Sequence, residues 1–281
     1  MPRARLVFAL ILASWLFVPV AAQRPQQPPP YRILISNDDG VRAPGLAAVA
    51  QILQAIGQVI IVAPSDNQSG KGHSINTTEP ILREDLTLPN GLKAIGLTAT
   101  PATTVNVAIR NILKPLPDLV VSGINRGYNL GLTVYISGTV GAAREAAMHG
   151  VPAIATSLEE EGAIRNYGFA AEEVLGVARR VKQYGLPANT FLNVNIPAMP
   201  AGGYRGYRVT TQALQKSGDE RFAEMTHPSG RTIYWNVYKE GATAPEGTDI
   251  RAVNEGYVSV TPMKLGEIDA SQLETLRAIF K

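Results

Sequence analysis

The chain has 281 residues, 45% of them hydrophobic and 17% charged, enough for one large α/β domain or a domain with an extension. It contains no cysteine, which excludes a disulfide framework, and a core of this size does not need one. Twenty-six basic residues against 23 acidic ones are a small excess and give no electrostatic footprint for binding a nucleic-acid polymer.

Arg3 and Arg5 precede an uncharged run over residues 6–20, and Val20, Ala21 and Ala22 offer small residues for cleavage before Gln23. A basic start, a short apolar stretch and an A-x-A-like end predict a signal peptide at 1–22, and hence an exported protein, periplasmic or secreted. A membrane anchor is the alternative, but the run is shorter than the ~20 apolar residues that a spanning helix needs, so no stable anchor is expected. Cleavage takes the basic count from 26 to 24, nearly balanced by the 23 acidic residues. Residues 23–30 are too rich in Pro and Gln to fold and read as an extended spacer.

Residues 32–36 form a β-rich apolar run, as expected of a strand buried on both faces. Leu46, Val49, Ala50, Leu53 and Ile56 then recur at helical spacing as far as Gly57. Residues 59–63 read as a second buried strand, 103–113 as a helix, and 118–122 as a strand broken by Gly123. Residues 139–149 predict a helix of small residues, 152–156 a strand, 166–184 a longer helix, and 191–196 a strand before Pro197. This alternation predicts a doubly wound, mostly parallel sheet with right-handed connections, and ligands gathered at the carboxyl ends of its strands. Beyond Pro200 the pattern turns β-like at 204–211 and 231–238, with a polar turn region between them, which predicts a hairpin arm. Residues 257–261 are expected to return to the sheet, and 270–280 to form a terminal helix.

Several strands end in polar, glycine-punctuated loops: 37–40, 65–70, 122–125 and Ser157. In a doubly wound sheet the first three converge on one ligand. The adjacent carboxylates of Asp38 and Asp39 repel, and one is driven to take up a proton unless a cation neutralises them. A hard ion such as Mg²⁺ or Mn²⁺ prefers oxygen ligands, and a Ser hydroxyl and an Asn carbonyl can complete its shell. Taken alone, Asp38-Asp39-Gly40 is equally well a turn with solvated carboxylates; the other polar strand ends tip the balance to metal. Ser137, Gly138 and Thr139 open a helix, whose free N–H groups and dipole suit an anion, although plain N-capping is the commoner use of Ser or Thr there. Residues 65–72 only approximate a P-loop, because Ser65 stands where its first Gly belongs. Of the three histidines, His149 reads as a partner of a helix dipole and His227 lies in the arm's turn. His73, just past Ser69-Gly70, is the candidate for touching substrate.

Taken together, residues 36–40 with Pro44-Gly45, Ala63-Pro64 leading to Ser69-Gly70, 121–125 with Gly127, Asn129 and Gly131, 137–140, 193–197, 247–249 and 256–262 form an ordered set. In that set, over residues 31–262, the chain resembles the survival protein E (SurE) family of metal-dependent nucleotidases. The resemblance implies a Rossmann-like three-layer α/β/α sandwich in one domain at 31–281, with a C-terminal β-hairpin arm at about 204–255 used to assemble a homodimer or homotetramer. It also implies hydrolysis of nucleoside 5′- and 3′-monophosphates, sometimes of polyphosphate, with one Mg²⁺ or Mn²⁺ per subunit. By position, the metal ligands fall on Asp38, Asp39, Ser69 and Asn125, and the phosphate contacts on Asn37, Ser137, Gly138 and Thr139 with Asn129 nearby. Asp38 and Asp39 are the catalytic candidates, Asp38 being the one expected to orient or deprotonate the attacking water.

The chain departs from the family pattern in three places. The family is usually cytoplasmic, whereas this chain carries an export signal. Thr100 to Thr104 lack the carboxylate and thiol that the family usually has there, and after Thr261-Pro262, where family members often carry an Asp and a Thr or His that reach the site, this chain reads Met263-Lys264-Leu265-Gly266-Glu267-Ile268-Asp269. An exported protein that binds phosphate or nucleotide without turnover is the alternative function. An aspartyl-phosphate phosphatase is disfavoured, since it typically wants a second Asp two residues after the first, where Gly40 stands.

Overall fold

The structure is a computed structural model, and it describes residues 29–159, 166–198, 203–266 and 270–280. The expected leader at 1–22 and residues 23–28 of the spacer lie outside them.

The chain runs β1 (Arg32–Ser36), α1 (Pro44–Leu53), β2 (Gln58–Pro64), β3 (Arg83–Thr87), β4 (Lys93–Leu97), α2 (Pro101–Val107) and β5 (Leu119–Arg126). It continues through α3 (Gly138–Met148), β6 (Ala153–Leu158), α4 (Tyr167–Tyr184), β7 (Thr190–Ile196) and β8 (Tyr207–Val209). Last come β9 (Gly218–Thr226), β10 (Thr232–Glu240), α5 (Asp249–Asn254), β11 (Val258–Lys264) and α6 (Leu273–Ile279). Nine strands form one sheet in the order β3-β4-β2-β1-β5-β6-β7-β11-β8, parallel from β4 through β7.

The alternation of side chains along β1 explains the layers. Ile33 and Ile35 pack under α1 and α4, against Leu46, Val49, Val174 and Ala178. Leu34 faces the other way and joins Val105, Val140, Ala143 and Ala146 of α2 and α3. Both faces of the central strands are therefore covered, as their continuous apolar runs require. The sheet grows in one direction from β1 to β2 and in the other from β1 to β5, so a crevice opens between the ends of β1 and β5. Among the described residues no helix is long and apolar enough to cross a membrane.

Several expectations are corrected. The arm is a hairpin, but its strands are β9 and β10, paired from Gly218↔Glu240 to Thr226↔Thr232. The stretch expected as its first strand contributes β8 instead, which lies parallel to β11 at the edge of the main sheet. β9 lies inside the region expected as a polar turn, because its charged, largely exposed sequence carries no apolar strand signal. β5 does not stop at Gly123; it shifts register against β6 between Ser122 and Asn125 and runs on to Arg126, and such a bulge re-aims a side chain. The helix expected from 103 begins at Pro101 and closes in a π-helical turn over Ala108–Ile112. The β3–β4 pair has a charged, largely exposed first strand, so it offers no apolar run to read.

Candidate active site

Asp38 sits two residues past the end of β1 and is only 3% exposed. Its loop is closed locally, with the Asn37 amide donating to the Gly40 carbonyl at 2.9 Å. The backbone N–H of Gln68 donates to the Asp38 carbonyl at 2.7 Å, tying this loop to the one that carries Ser69. Asn37, expected to touch phosphate, uses its amide nitrogen to shape the loop, its buried Oδ1 has no hydrogen-bond partner among the described residues, and it does not line the cavity described below.

The start of α3 approaches from the other layer. Ser137 caps it, accepting from Val140 N–H at 3.1 Å. Thr139 donates its hydroxyl to Asp38 Oδ1 at 2.5 Å. Gly138 permits this approach, since a Cβ there would lie 2.8 Å from Asp38 Cβ and 2.9 Å from Oδ2. The helix start expected to receive phosphate lies against the Asp38 carboxyl group. Burial raises the pKa of Asp38 above the usual carboxylate range, opposed by the Thr139 hydroxyl and by the backbone N–H groups of Thr139 and Gly138.

The end of β5 supplies the third wall. Asn125 spends both amide hydrogens on the carbonyls of Arg126, at 3.3 Å, and Gly127, at 2.8 Å, which leaves Oδ1 as its acceptor. Asp39 Oδ2 accepts from the N–H of Arg126 at 3.1 Å. Asn129 is clamped from beneath. Its N–H donates to Asn195 Oδ1 at 2.8 Å, and its carbonyl accepts from Asn193 at 2.8 Å and Asn195 at 3.1 Å. Its side-chain amide donates to Ser157 at 2.8 Å.

Asp38, Ser69, Asn125, Asn129 and Ser137 line a single cavity of about 430 Å³, within the range of small-molecule sites. Asp39, Gly138 and Thr139 are not part of that lining. Sequence reasoning missed Arg126, Tyr128 and four arm residues that also face the cavity: Lys216, Glu220, Asn236 and Tyr238. No local signal marks the arm residues: the pairing of β9 with β10 decides which side Glu220, Asn236 and Tyr238 occupy, and a bridge to Gly131 places Lys216. His73 does not line the cavity; its Nε2 lies 2.7 Å from Glu145 Oε2. His149 is the C-cap residue of α3, and its Nε2 lies 3.1 Å from Glu145 Oε1.

The residues present suit a hard divalent ion. Asp38 is a carboxylate buried among neutral donors, Asn125 presents an uncommitted carbonyl oxygen, and the Ser69 hydroxyl shares their cavity. Among the described residues there is no cluster of three or more His, Cys, Asp or Glu side chains.

The profile of the Survival protein SurE family matches residues 33–219. A relative from Syntrophotalea carbinolica, named 5′-nucleotidase SurE, is 45% identical over 246 residues, covering 87% of this chain and 95% of its own. The chain belongs to the SurE family. A further SurE relative, 5′-nucleotidase SurE 1 of Thermus thermophilus, is 40% identical over 253 residues, covering 89% of this chain and 98% of its own. The crystal structure of the SurE protein from Aquifex aeolicus superposes with a TM-score of 0.77 at 36% identity, covering 89% of this chain and all of that one. The mostly parallel sheet with helices on both faces is therefore the SurE fold. At the departing segment 100–104, Thr100 caps α2, accepting from Thr103 N–H, and its hydroxyl lies 2.8 Å from that of Thr103. Residues 267–269 of the second departing segment lie outside the described residues.

Proposed function

We propose that this chain is an exported, divalent-metal-dependent phosphomonoesterase that hydrolyses nucleoside 5′- and 3′-monophosphates, with short polyphosphate as a further substrate. The observation that carries this reading is the buried Asp38 carboxylate, held at the start of α3 in one cavity with Ser69, Asn125 and Ser137. The relatives named 5′-nucleotidase, at 40–45% identity over most of the chain, support the substrate class.

Asp38, Asp39, Ser69 and Asn125 would hold the ion. When bound, it supplies charge neutralisation for the two carboxylates and Lewis acidity toward the phosphoryl group. The protein's own groups do the positioning. Thr139 and the backbone N–H groups of α3 fix the Asp38 carboxylate, which orients the attacking water and draws off its proton. Water oxygen bonds to phosphorus, the ester P–O bond breaks, and the leaving sugar oxygen takes up a proton. Ser137 and Asn129 lie along the cavity, where the phosphoryl oxygens gather charge, and Arg126 adds positive potential there.

The exposed Phe222, Tyr234 and Trp235 on the arm support assembly as a homodimer or homotetramer. The leader at 1–22 supports export.

The test uses the mature chain with a panel of 5′- and 3′-mononucleotides and short polyphosphate, in Mn²⁺ or Mg²⁺, with and without chelator. Phosphate release that a chelator stops is the expected result. Tight phosphate binding with no turnover in either metal would return the chain to the binding-protein reading.

A further inference from the structure

The cavity that holds Asp38 is completed by the arm, and the arm's root is fixed to the segment that follows Asn129. Leu132 N–H donates to the Gln215 carbonyl at 2.9 Å, and the Gln212 side chain donates to the Gly131 carbonyl at 3.0 Å. Fully buried Asp249 joins the two segments, accepting from Gly131 N–H at 2.8 Å and Ala213 N–H at 2.9 Å. Lys216 is thereby pinned beside Gly131, with which it forms an isolated bridge. Further out, the pairing of Glu220 with Tyr238 and of Phe222 with Asn236 sets Glu220, Asn236 and Tyr238 on one face of the hairpin.

The polar groups on that face are organised around one carboxylate. Glu220 Oε2 forms an ion pair with Lys216, and Oε1 accepts from the Asn236 amide at 3.1 Å. The Tyr238 hydroxyl lies 2.6 Å from Ser217 Oγ. Lys216 and Asn236 hold the Glu220 carboxyl below the usual range, so it faces the cavity ionised.

A second carboxylate in a phosphate-binding cavity repels the phosphate, so its partner is the neutral part of the ligand. A carboxylate only accepts hydrogen bonds, whereas a hydroxyl donates and accepts at one atom. The donors of Lys216 and Asn236 on either side of the Glu220 acceptor match a pair of hydroxyls. In a nucleoside monophosphate the sugar hydroxyls lie closest to the phosphate, and a carboxylate that reads ribose hydroxyls is a recurring solution in nucleotide sites. We propose that Glu220, oriented by Lys216 and Asn236, receives the ribose hydroxyls of the nucleotide and makes the arm the sugar-reading wall of the site. This inference rests on the nucleotidase reading above.

The experiment compares kcat/KM for 5′-AMP, 2′,3′-dideoxy-AMP, 5′-GMP and p-nitrophenyl phosphate, using the mature protein with Mn²⁺ and its Glu220→Gln and Asn236→Ala variants. The wild type is expected to favour AMP over the dideoxy analogue by about tenfold or more, since a site built to bond hydroxyls rejects ligands that lack them. Glu220→Gln should lose most of that preference through a raised KM for AMP while p-nitrophenyl phosphate turnover stays within about twofold, and Asn236→Ala should follow in weaker form. AMP and dideoxy-AMP hydrolysed equally well by the wild type would overturn the inference alone. Equal losses on AMP and p-nitrophenyl phosphate would overturn it too, as would a loss confined to GMP, which would assign Glu220 to a guanine edge. Turnover of p-nitrophenyl phosphate with no nucleotide accepted would overturn the nucleotidase reading, and this inference with it.

Discussion

Thr139 Oγ1 donates to Asp38 Oδ1 at 2.5 Å, across 101 residues of chain, and so joins the two layers at the point where chemistry is proposed. Removing that donor leaves Asp38 in place but less well aimed. Thr139→Val should lower kcat by about tenfold to a hundredfold with little change in KM, as expected for lost orientation. Thr139→Ser should restore most of it. A Thr139→Val enzyme with unchanged kcat would show that the contact is idle.

Asp38→Asn keeps the size of the side chain but removes the base and the charge. Turnover should fall by about 10²–10⁴-fold, the usual range for general-base loss. Circular dichroism should be unchanged, because the donors of Thr139 and the α3 backbone still find an amide oxygen. Near-normal activity in this variant would remove Asp38 from the mechanism.

Asn195 uses both ends of its amide on the backbone of Asn129, in a fully buried position. Asn195→Ala leaves that N–H unpartnered there, which should lower stability by about 1–3 kcal/mol. Activity should fall further than stability predicts, because Asn129 lines the cavity. Urea unfolding beside kinetics at a temperature where the variant is fully folded separates the two effects; a stability loss with intact kcat/KM would make the clamp purely structural.

Glu145 on α3 receives His73, His149 and the Asn106 amide. Burial alone would raise its pKa, but the hydrogen bonds from His73 and Asn106 and the histidine charges outweigh burial and lower it. A depressed carboxyl stabilises the fold in full above its unfolded-state pKa, about 4.3, and that contribution is lost as pH falls through the folded value. Glu145→Gln should therefore be less stable than the wild type at pH 7, with the gap closing as the pH is lowered below about 4.3. Denaturant midpoints at several pH values decide it, and a gap independent of pH would refute the assignment.

Gly131 adopts φ +53°, and a Cβ there would lie 2.1 Å from the Gln215 carbonyl oxygen. Gly131→Ala should displace the arm's root at a cost of about 1–3 kcal/mol. Limited proteolysis should then cut within residues 218–240 faster than in the wild type, and an unchanged cleavage rate would mean that the root is not held at this point.

Most of the α/β body was legible in the sequence, because buried parallel strands are apolar throughout and the helices between them carry a 3.6-residue period. β3, with Arg83, Glu84 and Asp85 on a largely exposed edge, has neither signal. The arm was legible as an arm and illegible as a pairing. Residues 218–226, read as part of a polar turn, pair with β10, while part of the expected first strand, β8, lies beside β11 at the edge of the main sheet. Asp38, Ser69, Asn125 and Ser137 were named because each follows a strand or opens a helix. Lys216, Glu220 and Asn236 were not, since nothing local separates a cavity-facing residue of a polar hairpin from a solvated one.

The sequence by itself determined the family, the order of the strands that carry polar ends, and the pair of carboxylates that asks for a cation, since all of these are written in short segments. Only the tertiary structure decided that Thr139 and the start of α3 hold Asp38, that Asn193 and Asn195 hold Asn129, and that the arm closes the cavity. These partners lie tens of residues apart or more. What brings them together is strand order and register, which arise from burying both faces of one sheet and are encoded in no single stretch of chain.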